Sequence, residues 1–517
     1  MARGLLSLSL LCGLVLVSRA NQHALKRLHD LLAGMRLDPV VDANVSAMHN
    51  VFHPGNSCPF QRKIMSKLAN AQPIKIEILG GSATFGADLK NKEAERWSTR
   101  LASVMNGGWT NSSISVTNRA IPACNVDSWI YLYQRFKDAD LVIVDLSVND
   151  QGFDLPVLSL YYKTLVQLLD EMPNHPAIMF VQMFRTALQS KKEIDGVCPD
   201  PEKHGHCCND VWWCKKWWDM QDYVTAPVLD KFRVPYVSYR DLVWPVYSQP
   251  PAQLSQFWNG YSHPDVKNHA LIGKLVAYGV LRMFMQAHMH DFAKCRAEPG
   301  ADRYVFGEDA DKSVTGGLCR TPLSQMFAND SAASEQSFVL SSTATAQHAP
   351  EWRFYNDSKQ KYGWILQVSP EAVVKIATPA STTLDILTRT RISFDVNFGA
   401  EPILQVTYLK SWSEDMGTAL LWVDDKINDT VALPGYWKDE YSVSHYTTIT
   451  PRKMANVSLV LLGENFILPS LTPGKHVVHI AAASLTDASF FTHGTTIMAS
   501  KKNKGGFKWK LIGITSC

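Results

Sequence analysis

Three short blocks of this chain hold residue types that together can cleave an ester. Ser82 stands in Leu79-Gly-Gly-Ser82-Ala-Thr-Phe-Gly86, where glycines let the backbone bend sharply and leave the hydroxyl uncrowded. A serine hydroxyl is a poor nucleophile at neutral pH and needs a base within hydrogen-bond reach. His263, in Ser262-His263-Pro264, is the candidate base, because an imidazole titrating near pH 6.5 suits proton transfer. Attack on a carbonyl builds negative charge on oxygen, and one well-aimed donor there is worth roughly 3–4 kcal/mol. Asn149, in Ser147-Val-Asn149-Asp150, offers such a donor from its side-chain amide. Taken singly, each block has a bland reading: a common strand-to-helix turn, turn chemistry at a strand end, a loop histidine. Their order favours the chemical reading, as do the apolar run before Ser82 and the Leu141-Val-Ile-Val-Asp-Leu146 run before Asn149.

Positioning these residues calls for a layered scaffold. Apolar runs at 74–79, 113–117, 141–146, 177–184 and 235–239 predict strands. Helical patterns near 94–105, 156–171, 217–231 and 266–288 lie between or after them. Such alternation argues for an α/β unit with a parallel sheet covered on both faces. Ligands in these folds sit beyond the carboxyl ends of the strands, where Ser82 and Asn149 both fall. Residues 290–340 are rich in Gly, Asp, Ser and Ala and read as a linker. From 341 to 517 the texture becomes short β-prone runs separated by turn residues, which predicts an all-β, sandwich-like domain. Residues 21–72 begin with helical periodicity and are expected to form an N-terminal arm or cap.

The ordered set resembles the SGNH hydrolase superfamily (GDSL-type esterases and lipases), in the extended secreted eukaryotic form with a C-terminal β domain. The first block is usually Gly-Asp-Ser and here reads Gly80-Gly81-Ser82. The second is Asn118-Arg-Ala-Ile-Pro-Ala123, with Ala in place of Gly, and the third, usually Gly-x-Asn-Asp, is Ser147-Val-Asn149-Asp150. In the fifth, His263, Pro264 and His269 fit, but Gly260 stands where an Asp belongs. The resemblance spans roughly residues 73–289 and implies a three-layer, flavodoxin-like domain there. It also implies Ser82 as nucleophile, His263 as base, and an oxyanion hole formed by the backbone N–H groups of Ser82 and Ala123 and the Asn149 amide. The acid that normally fixes the imidazole tautomer is missing at 260. A backbone carbonyl near Gly260 is the expected substitute, because Asp265 lies on the wrong side of Pro264.

Bulk properties narrow the setting. A chain of 517 residues, 46% apolar and 19% charged, is globular and long enough for two or three domains. A net charge of +3 is too small to argue for a nucleic-acid partner. Residues 1–20 read as a signal peptide: a basic start, an apolar core at Leu5–Val17, and Ser18-Arg19-Ala20 as a small-residue cleavage site. That core is too short to span a bilayer, and the 271–285 run is interrupted by Lys274 and Arg282, so no stable membrane span is expected. A secreted or luminal location follows, with six Asn-x-Ser/Thr sequons, at Asn44, Asn111, Asn329, Asn356, Asn428 and Asn456, as glycosylation candidates. Outside the leader the cysteines are 58, 124, 198, 207, 208, 214, 295, 319 and 517, and disulfides are the expected use. Cys198, Cys207, Cys208 and Cys214 cluster with His204 and His206, but the spacing fits no standard zinc pattern, so bridges are favoured. The Trp212-Trp213 and Trp217-Trp218 pairs suit either sugar stacking or packing under that insertion, with packing favoured.

Three functional readings result. The first is a secreted serine esterase acting on carboxylic esters, an O-acyl glycan being the favoured substrate. The second uses the same Ser82 and His263 to transfer the acyl group to a sugar. The third is an inactive carbohydrate-binding protein. None of them needs a metal or organic cofactor.

Overall fold

A computed structural model of the chain describes residues 50–184 except 108, 109 and 151–154, then 219–247, 258, 263–289, 295 and 303–304. Between 324 and 516 it describes the strands named below and several of their turns; Lys26, Arg27 and Asp30, described alone upstream, are helical. The chain divides into two compact units, Met1–Ala310 and Asp311–Cys517.

The first unit is built on a six-stranded sheet of order β1-β6-β5-β4-β2-β3. Its strands are β1 (Phe52–His53), β2 (Ile74–Gly80), β3 (Ile114–Asn118), β4 (Leu141–Asp145), β5 (Ala177–Gln182) and β6 (Tyr236–Ser238). β2 to β6 are mutually parallel, and β1 joins the β6 edge antiparallel. Every residue of β4 and β5 is buried, as expected of strands covered on both faces. One group of helices consists of Trp97–Met105, the run from Cys58 to Ala69 and the long helix Val266–Met289; another consists of Val126–Leu132, Leu155–Asp170 and the run from Gln221 to Lys231. Counting β2 as the first parallel strand, the order is 2-1-3-4-5, the flavodoxin-like arrangement. The order reverses between β2 and β4, which is where such folds place a ligand. Val266–Met289 is long and apolar enough to cross a membrane, yet most of it is buried within this unit.

The second unit has two sheets. One is β10 (Ile392–Phe398), β16 (Gly474–Ala482), β12 (Thr418–Val423) and β13 (Val431–Pro434). The other runs β15 (Glu464–Ile467), β14 (Val443–Thr450), β11 (Leu404–Lys410), β17 (Phe507–Ser516), β9 (Tyr362–Val368) and β8 (Trp352–Asn356), with β7 (Ser324–Phe327) also on β17. Only β14 and β15 pair in parallel among these described strands. Alternate residues of β10 (Ile392, Phe394, Val396, Phe398) join Leu421, Val478, Leu404, Tyr408 and Trp509 in one core between the sheets. Two of its buried indoles find backbone acceptors: Trp352 donates to Thr390 O at 2.7 Å and Trp509 to Leu433 O at 3.1 Å.

Two expectations about the borders change. Residues 50–69 are no arm: β1 extends the sheet, Phe60 packs edge-on against Phe284 with ring centroids 4.7 Å apart, and Cys58 is bridged to Cys295. Nor is 290–340 simply a linker. Besides that bridge, Arg303 Nε and the Tyr304 N–H both donate to the buried carboxylate of Asp170, at 2.9 Å each, and Ser324–Phe327 is a strand of the second unit. Cys124 is buried and remains a thiol. Cys198, Cys207, Cys208, Cys214, Cys319 and Cys517, His204 and His206, the tryptophans from 212 to 218, and Asn44, Asn329, Asn428 and Asn456 all lie outside the described residues. Asn111 is exposed in a bend before β3, and Asn356 closes β8.

Candidate active site

β2 ends at Gly80, and Gly81 caps a single helical turn, Ser82–Phe85, so the strand delivers Ser82 directly at its carboxyl end. Gly86 closes that turn in the left-handed region at φ +82°, which a β-carbon would oppose. Ser82 itself is partly exposed between buried neighbours. Behind it, the Thr84 hydroxyl donates to Asp145 at the end of β4, tying the nucleophile turn to the neighbouring strand. Asn118 holds the turn from the other side: its Nδ2 donates to Thr84 O at 2.7 Å and to Ser98 Oγ at 2.9 Å.

The loop after β3 is laced to the same strand end. Arg119 N–H donates to Ile78 O at 2.8 Å, Ile121 N–H to Gly80 O at 3.0 Å, and Trp129 Nε1 to Gly80 O at 3.3 Å. Ala123, in this loop, has φ +66° and is buried. In the sequence block that position 123 resembles, the usual residue is Gly. The left-handed backbone supplies the reason, and Ala adopts it at a penalty of about 1–2 kcal/mol.

Asn149 reaches the site from β4. Its N–H donates to Leu146 O at 2.9 Å, closing the bend at the strand end, and its side chain lies over the Gly81 backbone. A β-carbon at 81 would collide with the Asn149 amide. Gly81, a departure from Gly-Asp-Ser, therefore makes room for Asn149 beside Ser82. The next residue, Asp150, is fully buried and anchors the start of the helix that follows the Ala123 loop. It accepts the Val126 N–H at 2.8 Å and the Tyr162 hydroxyl at 2.7 Å.

Three buried carboxyls gather behind these elements. Burial pushes Asp145 up to about 7 against the pull of the Thr84 hydroxyl, and Asp127 up to about 7 against Ser128. Asp150 is raised well above the carboxylate range, by burial first, with Asp127 and Asp145 adding to it.

His263 precedes the long helix, and Asp265 caps that helix by accepting the Asn268 N–H at 2.9 Å. Nδ1 of His263 lies 2.7 Å from Oδ2 of Asp88, six residues beyond Ser82. That contact ties His263 to the segment that carries Ser82. Gly260 and its carbonyl lie outside the described residues, so the orienting group expected there has a rival already in contact. His269 has a different surrounding: it is fully buried, its Nδ1 accepts the Trp97 N–H at 3.2 Å, and burial, with His263 second, lowers it to about 3. Burial keeps its ring neutral and packed against the helix that begins at Trp97.

No protein-family model and no curated protein sequence matches the chain. Among solved structures, a two-domain esterase active on acetylated mannans superposes with a TM-score of 0.51 at 15% identity, covering 90% of this chain and 98% of its own. The chain shares the fold of that esterase, a flavodoxin-like α/β unit followed by an all-β unit. The mannan esterase co-crystallised with mannopentaose gives a TM-score of 0.49 at 14% identity over 90% of this chain and 97% of that one. Est24, a carbohydrate acetylesterase from Sinorhizobium meliloti, matches 41% of this chain and 100% of its own at 15% identity and a TM-score of 0.29. Ser82, Ala123 and Asn149 follow β2, β3 and β4, next to the reversal of strand order between β2 and β4.

Proposed function

We propose that the protein is a secreted serine esterase that hydrolyses O-acyl esters carried on glycans. The observation that carries the reading is the placement of Ser82 at the end of β2, with the Asn149 side chain lying over the Gly81 backbone and the loop that holds Ala123 hydrogen-bonded to Gly80. Ser82 Oγ attacks the acyl carbonyl while His263 takes the hydroxyl proton. The three donors hold the oxyanion, and preorganised donors of this kind contribute more to acyl transfer than any other single effect. The glycan hydroxyl leaves with the proton from His263. Water then gives a proton to His263 and attacks the acyl-enzyme, releasing the carboxylic acid and restoring Ser82.

The glycan substrate is supported by the two-domain neighbour, an esterase active on acetylated mannans, and by an appended β unit that the chemistry itself does not require. The leader and sequons of the sequence support secretion. The test incubates purified protein, beside Ser82→Ala, with acetylated mannan and with a short-chain acetyl ester, and measures free acetate. The expected result is acetate release by the parent alone. Absence of release, together with no labelling of Ser82 by a serine-directed phosphonate, would sink the esterase reading.

A further inference from the structure

An imidazole that acts as base must keep its proton on one nitrogen and present the other, bare, to the hydroxyl. Something has to enforce that choice, and the position three residues before His263 is a glycine. Asp88 meets the need. Its Oδ2 is 2.7 Å from His263 Nδ1. A carboxylate only accepts, so the contact places the proton on Nδ1 and leaves Nε2 for a serine. The contact spans 175 residues of sequence, so it is a product of the fold and not of local chain geometry.

The turn that presents Asp88 is built for it. Ala87 and Leu89 on either side are buried at 4% and 7% exposure, which forces the residue between them outward. Asp88 sits at φ +72°, two residues after Gly86 at +82°. Asp is among the few residue types that enter this region, at a penalty on the order of 1 kcal/mol. A strained residue pinned by buried neighbours and turned onto a histidine is a preorganised partner rather than a surface accident.

We propose that Asp88 is the positioning acid of the site, carried on the same turn as the nucleophile instead of beside the histidine. The proposal rests on the esterase reading of Ser82 and His263. The chain order becomes Ser82, Asp88, His263, and two segments rather than three supply the catalytic side chains. Because the Asp88 side chain is 43% exposed, water screens the pair. The coupling is then weaker than for a buried acid, whose conversion to the amide lowers kcat roughly 10⁴-fold.

The experiment compares the parent with Asp88→Asn, Asp88→Gly and Asp88→Glu on a soluble acetyl ester, with melting curves for each. Asn and Gly both accept the left-handed backbone, so neither should disturb the turn. The expected result is a fall in kcat of about 10²-fold for Asn and Gly, with KM unchanged and partial recovery in Glu. The acid limb of kcat/KM should also move to lower pH in Asn and Gly, since a negative charge beside the ring is gone. An active parent with unchanged kcat and acid limb in Asp88→Asn overturns the proposal and leaves the esterase standing. An inactive parent overturns the esterase reading instead, and ¹⁵N NMR of His263 then decides this one. A proton on Nδ1 in the parent, lost in Asp88→Asn, supports the positioning role; a proton on Nε2 in the parent overturns it.

Discussion

Among the described residues, two Asp–His couples share an Nδ1 contact of the same length, one in each unit. His263 Nδ1 stands 2.7 Å from Asp88, and His476 Nδ1 stands 2.7 Å from Asp424. The histidines are 18% and 12% exposed, the aspartates 43% and 39%. Both aspartates are left-handed, at φ +72° and +53°. His476 even has a hydroxyl on its other nitrogen, with Thr472 Oγ1 3.3 Å from Nε2. The surroundings differ. Asp424 also accepts the Val477 N–H at 2.9 Å, so this couple fastens the turn after β12 to β16. Thr472 sits on no strand-to-helix elbow, while Ser82 has Asn149 packed beside it and the Ala123 loop tied to its strand. An Asp–His pair is thus a common structural clamp, and it becomes chemistry only where a nucleophile and oxyanion donors are assembled around it.

The sharpest way to break this comparison is to remove both hydroxyls separately. Ser82→Ala should lower kcat by about 10⁶-fold, and Thr472→Ala should leave ester hydrolysis at the parental rate. Any dependence of acetate release on Thr472 would erase the distinction between the two couples. Next comes Gly81→Ala, whose new methyl must displace the Asn149 amide. A loss of about 10²-fold in kcat, matching Asn149→Ala, is expected from steady-state kinetics if that amide serves the oxyanion.

The buried carboxyls offer a third test. Asp127 has a folded pKa of about 7, raised from 3.8 chiefly by burial. Its neutral form stabilises the fold fully below about pH 3.8, and that contribution is lost as the pH climbs toward 7. Asp127→Asn removes the titration. Its melting temperature relative to the parent should therefore be higher at pH 7.5 than at pH 4.5, by a free energy on the order of 2–4 kcal/mol. A pH-independent difference would place the group in water. In Asp424, by contrast, the Val477 N–H and His476 overcome burial and lower the pKa, so the stability its carboxylate contributes is lost only as the pH falls below the ordinary carboxylate range. The smallest effect is at the loop: Ala123→Gly relieves a left-handed alanine and should stabilise by about 1 kcal/mol, read in a urea melt, with the oxyanion N–H retained.

Much of the first unit is readable because its signals are local. The apolar run from Ile74 ends at a glycine pair, and the strand does end there, with Ser82 opening the next turn. The predicted helix at 266–288 forms as Val266–Met289, and Ser82, Asn149 and His263 fall at the element ends expected of them. What the sequence hides is non-local. Nothing near Asp88 announces a partner at 263, and the left-handed turn that exposes it leaves only Gly86 as a trace. The β1 strand is two residues long and belongs to a sheet whose other strands begin more than 20 residues later. In the second unit, β14 reads Val-Ser-His-Tyr-Thr-Thr-Ile-Thr, a polar β-branched run without the apolar alternation that marks β10, so the pattern predicts no strand there. The pairing of Cys58 with Cys295, 237 residues apart, has no sequence signature either.

That bridge also decides how tension travels. A pull on the second unit would reach the first along the chain that leaves it at Ala310. The load meets the hold of Arg303 and Tyr304 on Asp170, then passes at Cys295 through a covalent bond to Cys58. Both ends of that bond lie outside the stretch from 74 to 263 that carries Ser82, Asp88, Ala123, Asn149 and His263. The segments that carry those residues hang inside a closed ring, so a tug on the chain beyond it is borne by its clasp and need not strain them.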